Sequence, residues 1–173
     1  AAQEVPLRED FSVNTGDYAG VPGTVFLANP NAPTGLCLPL AEIEALLRQD
    51  PDRLVVVDEA YVDFGGVSAL PLVDKYENLL IVQTFSKSRA LAGMRIGFAI
   101  GQKKLISYLN DVKFSFNSYT MNRLTIACGK ACVEVFSGDY GENRGDPGMD
   151  EAEAGRAGLY VPGFEGELYF RNA

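Results

Sequence analysis

Histidine is missing from the sequence altogether. Its absence removes Ser/His/Asp and Cys/His nucleophile systems, and every imidazole-ligated metal centre, from the chemistry these residues can perform. Cysteine is scarce: Cys37, Cys128 and Cys132 are an odd number, too few for a disulfide framework and suited to a reducing cytoplasm. Cys128 and Cys132 stand four apart in a helical pattern, where a two-thiolate metal or redox site competes with the commoner burial of small apolar side chains; no metal is expected. Apolar runs stay well short of the roughly 18 residues needed to cross a bilayer, and the first residues carry no charged-then-apolar leader. The expectation is a soluble, cytoplasmic protein without a membrane partner. Positive charge is in deficit, with 15 Lys and Arg against 23 Asp and Glu. A net charge of −8 gives no general attraction to nucleic acid, so any anion must be held locally.

What is present is a chain of 173 residues, 47% hydrophobic, enough to build one domain with a real core. Four short apolar runs bounded by turn residues read as strands: "TVFLAN" (Thr24–Asn29), "RLVVVDEA" (Arg53–Ala60), "NLLIVQTF" (Asn78–Phe85) and "RIGFAIG" (Arg95–Gly101). They are β-branched and mostly continuous rather than alternating, the pattern of strands covered on both faces. Between the first two, "LPLAEIEALLRQD" places Leu40, Ile43, Leu46 and Leu47 on one helical face, which makes a βαβ unit. Too few residues separate Phe85 from Arg95 for a helical crossover, so the fourth strand is expected to return antiparallel. "QKKLISYLNDV" and "TMNRLTIACGKACVEV" read as amphipathic helices joined by a polar aromatic loop, "KFSFNSY". The fold class is therefore α/β, a mostly parallel sheet with one antiparallel strand and helices on both faces. Composition changes near Val135: residues 1–134 form the organised part, and 135–173 read as a Gly-rich, acidic tail of loop or disorder.

Polar constellations recur where strands end, the place at which open α/β sheets put their ligands. They are "NPNAPTG" (Asn29–Gly35), "DEAY" (Asp58–Tyr61), "TFSK" (Thr84–Lys87) and Arg95 after "LAGM". Singly, each has a duller reading: a proline-stiffened turn, a helix cap or ion-pair partner, a surface lysine, a solvated arginine. Jointly they describe one small-molecule site. Burial at a strand end and a neighbouring cation, Arg95, would both disfavour the ammonium form of Lys87, leaving the neutral amine that attacks an aldehyde. A carboxylate on the next strand can pair with a protonated pyridine nitrogen, while Ser86 and Arg95 can hold a phosphate. An amine, a pyridinium partner and a phosphate cradle are the parts of a pyridoxal phosphate site. A Walker B reading of "RLVVVDEA" fails for want of any G-x-x-x-x-G-K-[ST] loop.

The motifs "NPNAPTG", "VVVDEAYVDF", "QTFSKSRALAGMRIGFAIG" and "FNSYTMNRL", in that order and spacing, resemble the fold type I, aspartate aminotransferase-like pyridoxal phosphate enzymes over roughly Val5 to Glu134. "FNSYTMNRL" and the form of "DEAYVDF" narrow the resemblance to the branch acting in histidine synthesis. It implies the central part of the large, cofactor-binding domain of a class I/II aminotransferase acting on an amino donor and a 2-oxo acid, homodimeric in the family. Lys87 would carry the cofactor and move the substrate proton, and Asp58 would pair with the pyridine nitrogen. Tyr61 and Asn31 would hydrogen-bond the ring oxygen, with Ser86 and Arg95 on the phosphate. Family members are about twice as long. Their Gly-rich phosphate loop, the arginine that receives the substrate carboxylate and the tyrosine that reaches the neighbouring subunit have no counterpart in these residues. The expectation is that Asn31, Asp58, Tyr61, Ser86, Lys87 and Arg95 converge at one end of the sheet.

Overall fold

The computed structural model describes residues 2–141 and 157–160. Five strands form one sheet in the order β1-β2-β3-β4-β5: β1 Val25–Ala28, β2 Val55–Asp58, β3 Leu79–Thr84, β4 Gly97–Gln102 and β5 Ala157–Tyr160. The first three pair in parallel, with Ala28 opposite Asp58 and Asp58 opposite Val82. β4 lies antiparallel to both β3 and β5. It is thus the one strand that runs against the other four, as the short link after Phe85 requires.

Helices cover the two faces. α1, Leu40–Gln49, buries Ile43, Leu46 and Leu47 completely against Val25, Leu27, Val55, Val57, Leu79 and Ile81. α2, Lys103–Phe116, packs Ile106 on the opposite face against Val56, Leu80 and Ala99. Each fully buried aliphatic side chain contributes about 1.5–3 kcal/mol, so the α1 face dominates stability. No glycine closes α1. Instead Asn78, at the entry to β3, donates its amide to the carbonyls of Leu47, Asp50 and Arg53 at 3.1, 3.2 and 3.1 Å, satisfying groups that a helix end leaves bare.

Three expectations change. β1 alternates rather than being covered on both faces, and Phe26 is 76% exposed: on that face the core cluster with α2 draws on β2, β3 and β4, not on the β1 edge. α2 takes in most of the expected loop and runs to Phe116. The following helix α3, Arg123–Gly141, starts where the Asn122 side chain accepts the Thr125 N–H at 2.8 Å. α3 also continues through the change of composition at Val135, and β5 lies within the Gly-rich segment. An open strand edge offers a full row of backbone partners to an extended segment whatever its side chains. The expectation for the remainder of 135–173 falls outside the described residues. Among the described residues no helix is long and apolar enough to cross a membrane.

Candidate active site

Because β1, β2 and β3 are parallel and in register, the loops that follow them leave the sheet at one end. Thr84 pairs with Gly97, so the residues entering β4 lie at that end too. Asn31, Asp58, Tyr61, Ser86, Lys87 and Arg95 therefore gather at one end of the sheet, as the sequence led us to expect. Two of them are in contact: the Lys87 Nζ sits 4.9 Å from the centroid of the Tyr61 ring, within cation–π range.

Each of the others is held by its own loop. Asp58 closes β2, and its exposed carboxylate accepts the Ala60 N–H at 3.0 Å. Strand alternation puts it on the face of Val56, away from α1. Ser86 donates its N–H to the Thr84 hydroxyl at 3.1 Å, and the two hydroxyls are hydrogen-bonded at 3.0 Å. Asn31 sits in a turn closed by Asn31 N–H to Leu36 O at 2.9 Å and Gly35 N–H to Asn31 O at 2.7 Å, and its side-chain oxygen accepts from Thr34 at 2.9 Å. Arg95 ends a 3-10 turn in the left-handed conformation, φ 55°, and donates to Ala92 O at 3.0 Å.

The expected desolvation of Lys87 is not found. Lys87 and Arg95 are both exposed, because Lys87 stands three residues past the end of β3 on a surface loop and Arg95 turns back on its own loop. After Lys87 the chain turns back to enter β4. A Cβ at Gly93 would meet nothing within 4 Å, whereas one at Gly97 would lie 3.0 Å from Gln83 O. The return instead relies on two non-glycine residues with positive φ, Ala90 at 53° and Arg95 at 55°, each costing about 1–2 kcal/mol.

Two supporting residues escaped the sequence reading. Asn29, 1% exposed, staples the first loop by accepting the Leu38 N–H at 2.6 Å and donating to Leu38 O at 3.3 Å. Glu59, also 1% exposed, accepts from Ala69 N–H at 2.6 Å, the Ser68 hydroxyl at 2.8 Å and the Gln83 amide at 2.9 Å. Burial raises its pKa above the ordinary carboxylate value, against the opposing pull of those three donors. Both residues lie inside motifs that were singled out, but their partners lie too far along the chain for a local pattern to show.

The loops after β1 and β2 also touch. A Cβ on Gly66 would stand 2.8 Å from Pro30 Cγ, 3.0 Å from Pro30 Cδ and 3.1 Å from Val62 Cα; a proline ring and a backbone atom cannot step aside. Gly66→Ala is therefore expected to cost about 1–3 kcal/mol, the usual range for overpacking, and to displace the Asn31 turn. Urea unfolding of the variant measures the first effect, and amide chemical shifts at Asn31 to Leu36 the second. An unchanged midpoint would show that the loops can separate freely.

An exposed amine with a tyrosine under it, and a carboxylate, a serine and an arginine at the same end of the sheet, form a donor set suited to an aldehyde-bearing, phosphorylated pyridine. The chain belongs to the aminotransferase class I and II family, whose description matches residues 8–139. Within that family it is 59% identical over 133 residues to histidinol-phosphate aminotransferase 2 of Rhizobium meliloti (strain 1021), covering 77% of this chain and 38% of that protein. It is 57% identical over 133 residues to histidinol-phosphate aminotransferase 2 of Dechloromonas aromatica (strain RCB), covering 76% and 37%. The crystal structure of histidinol-phosphate aminotransferase from Sinorhizobium meliloti in complex with pyridoxal-5'-phosphate superposes with a TM-score of 0.66 at 25% identity, over 79% of this chain and 38% of that one. The chain thus spans less than two-fifths of the length of the curated relatives it matches.

Proposed function

We propose that this chain binds pyridoxal phosphate at the Lys87 end of the sheet and serves the transfer of an amino group from histidinol phosphate to 2-oxoglutarate, yielding imidazole acetol phosphate and glutamate. The observation that carries the reading is the Lys87 amine against Tyr61 at the sheet end that also bears Asp58, within a segment so similar to histidinol-phosphate aminotransferases. When bound, the cofactor supplies an electron sink for a carbanion next to the transferred nitrogen. Lys87 would attach the cofactor through its Nζ, and the same nitrogen would then take the proton from the substrate Cα. The Asp58 carboxylate would pair with the ring nitrogen and keep its proton in place. Tyr61 and Asn31 would donate to the ring oxygen, while Ser86 and Arg95 would hold the phosphate, the arginine as a forked donor. We further infer a cytoplasmic homodimer. Exposed Phe26, Phe64, Phe116 and Tyr119 support association, since apolar groups of this size gain from being covered.

The amino donor is tested by mixing the cofactor-loaded protein with histidinol phosphate and following the visible spectrum. Histidinol phosphate should discharge the bound-cofactor band at concentrations where aspartate and alanine do not; equal response to all three would overturn the substrate assignment. For the 173-residue polypeptide by itself, the exposure of Lys87, Asp58 and Arg95 leaves the reacting groups in bulk water. Substrate orientation, worth roughly 7–11 kcal/mol at its extreme, would be poorly imposed. Steady-state turnover of this polypeptide should therefore fall below about 1 s⁻¹, the lower edge of the ordinary enzyme range, with cofactor still bound. A rate above that would show the exposed site to be sufficient.

A further inference from the structure

Lys87 is an exposed, flexible side chain, and a cation–π contact at an exposed site is too weak to hold a lysine that loses rotamer freedom in making it. Its placement against Tyr61 must come from the backbone on either side. Two residues past Tyr61, Asp63 accepts a hydrogen bond from the Ser88 hydroxyl. The same carboxylate oxygen pairs with Arg89 Nη1 at 3.1 Å. Ser88 and Arg89 directly follow Lys87. Both charged side chains are largely withdrawn from water, Arg89 at 17% and Asp63 at 27% exposure. The Arg89 guanidinium is itself seated on two rings, 5.2 Å from Phe85 and 5.7 Å from Phe98, which meet edge to face at 5.7 Å. Phe85 is buried at the end of β3 and Phe98 lies in β4. Asp63 is fixed in turn within the 3-10 turn Val62–Phe64, whose Val62 is buried.

We propose that Asp63, Ser88 and Arg89 form a clasp between the loop after β2 and the loop after β3, and act as positioning residues that hold the Lys87 amine over Tyr61. The inference rests on the proposed function for its purpose, but its geometry stands independently of it. A partly buried ion pair braced by a hydroxyl and two rings has a defined geometry, unlike a surface pair between two mobile side chains. It transmits that geometry to Tyr61 and Lys87 through only one or two residues on each side.

The experiment uses the cofactor-free chain with its lysines dimethylated by carbon-13 formaldehyde and a borane reductant, which preserves their charge. The Lys87 methyl signal, identified by its loss in Lys87→Arg, should lie upfield through the Tyr61 ring current and return to the position of an exposed lysine in Tyr61→Leu. In Asp63→Asn and Arg89→Gln most of that displacement should vanish, while the other lysine signals and the unfolding midpoint change little. Ser88→Ala, which deletes one hydrogen bond and no charge, should give a partial loss and serves where the charge variants do not fold. On the unmethylated proteins, borohydride fixation at a subsaturating cofactor concentration should fall about tenfold in the charge variants. No upfield displacement in the parent chain, or full displacement retained in any folded clasp variant, overturns the proposal. Failure of the parent chain to fix cofactor, with the ring-current result intact, would instead count against the proposed function alone.

Discussion

Replacing Lys87 by alanine is expected to abolish borohydride-dependent fixation of pyridoxal phosphate to the chain. Lys87 is the only lysine in the segments joining β1 to α1 and β3 to β4. Lys103 and Lys104 open α2 directly after β4, and because β4 runs antiparallel they stand at the far end of the sheet. Lys75 precedes β3, again at the far end. Lys87 is therefore the ε-amine best placed for a cofactor held beside Asp58, and a carbonyl compound needs an amine to be retained covalently. Lys87→Arg keeps the positive charge without a usable nucleophile, so it should behave as the alanine variant does. The measurement is borohydride reduction followed by peptide mapping by mass spectrometry. A labelled peptide containing Lys103 or Lys104, recovered in equal yield from parent and variant, would mean that the chain reacts as a nonspecific amine.

The second large effect is on stability and lies one residue from Asp58. Glu59→Ala removes the acceptor for the Ala69 N–H, the Ser68 hydroxyl and the Gln83 amide together. Ser68 can find another partner by rotating. The Ala69 N–H, belonging to a fully buried residue, and the Gln83 amide have less freedom. A buried donor left unpaired costs about 1–3 kcal/mol, so the variant should lose several kcal/mol out of the ordinary total of about 5–15. Glu59→Gln keeps an acceptor and the volume and should be far milder. The two also separate by pH. Burial raises the folded-state pKa of Glu59 above its unfolded value near 4.5. Its protonation then contributes stability that is complete below the unfolded pKa and is lost as pH rises through the folded one. Glu59→Gln should lack that decline. Urea unfolding across this range measures both effects; an alanine variant within about 1 kcal/mol of the parent would show the carboxylate to be dispensable.

The sequence by itself determined the α/β class, the four strand positions, the antiparallel return and the convergence of the six candidate residues. All of these follow from local rules: strand-length apolar runs, one helical face, a link too short for a crossover, and the parallel order that puts every strand end on one side. The tertiary structure alone decided how that end is built. Glu59 meets Gln83 across β2 and β3, and Asp63 meets Arg89 across two loops, because register and loop path bring together residues that no periodicity links. It also decided exposure: Phe26 lies in water although Val25 and Leu27 are core, and Lys87 is exposed two residues beyond buried Phe85, since burial depends on what packs over a residue. α3 and β5 reach beyond the composition boundary near Val135 because helix propagation and an open strand edge recruit backbone that side-chain composition leaves undecided.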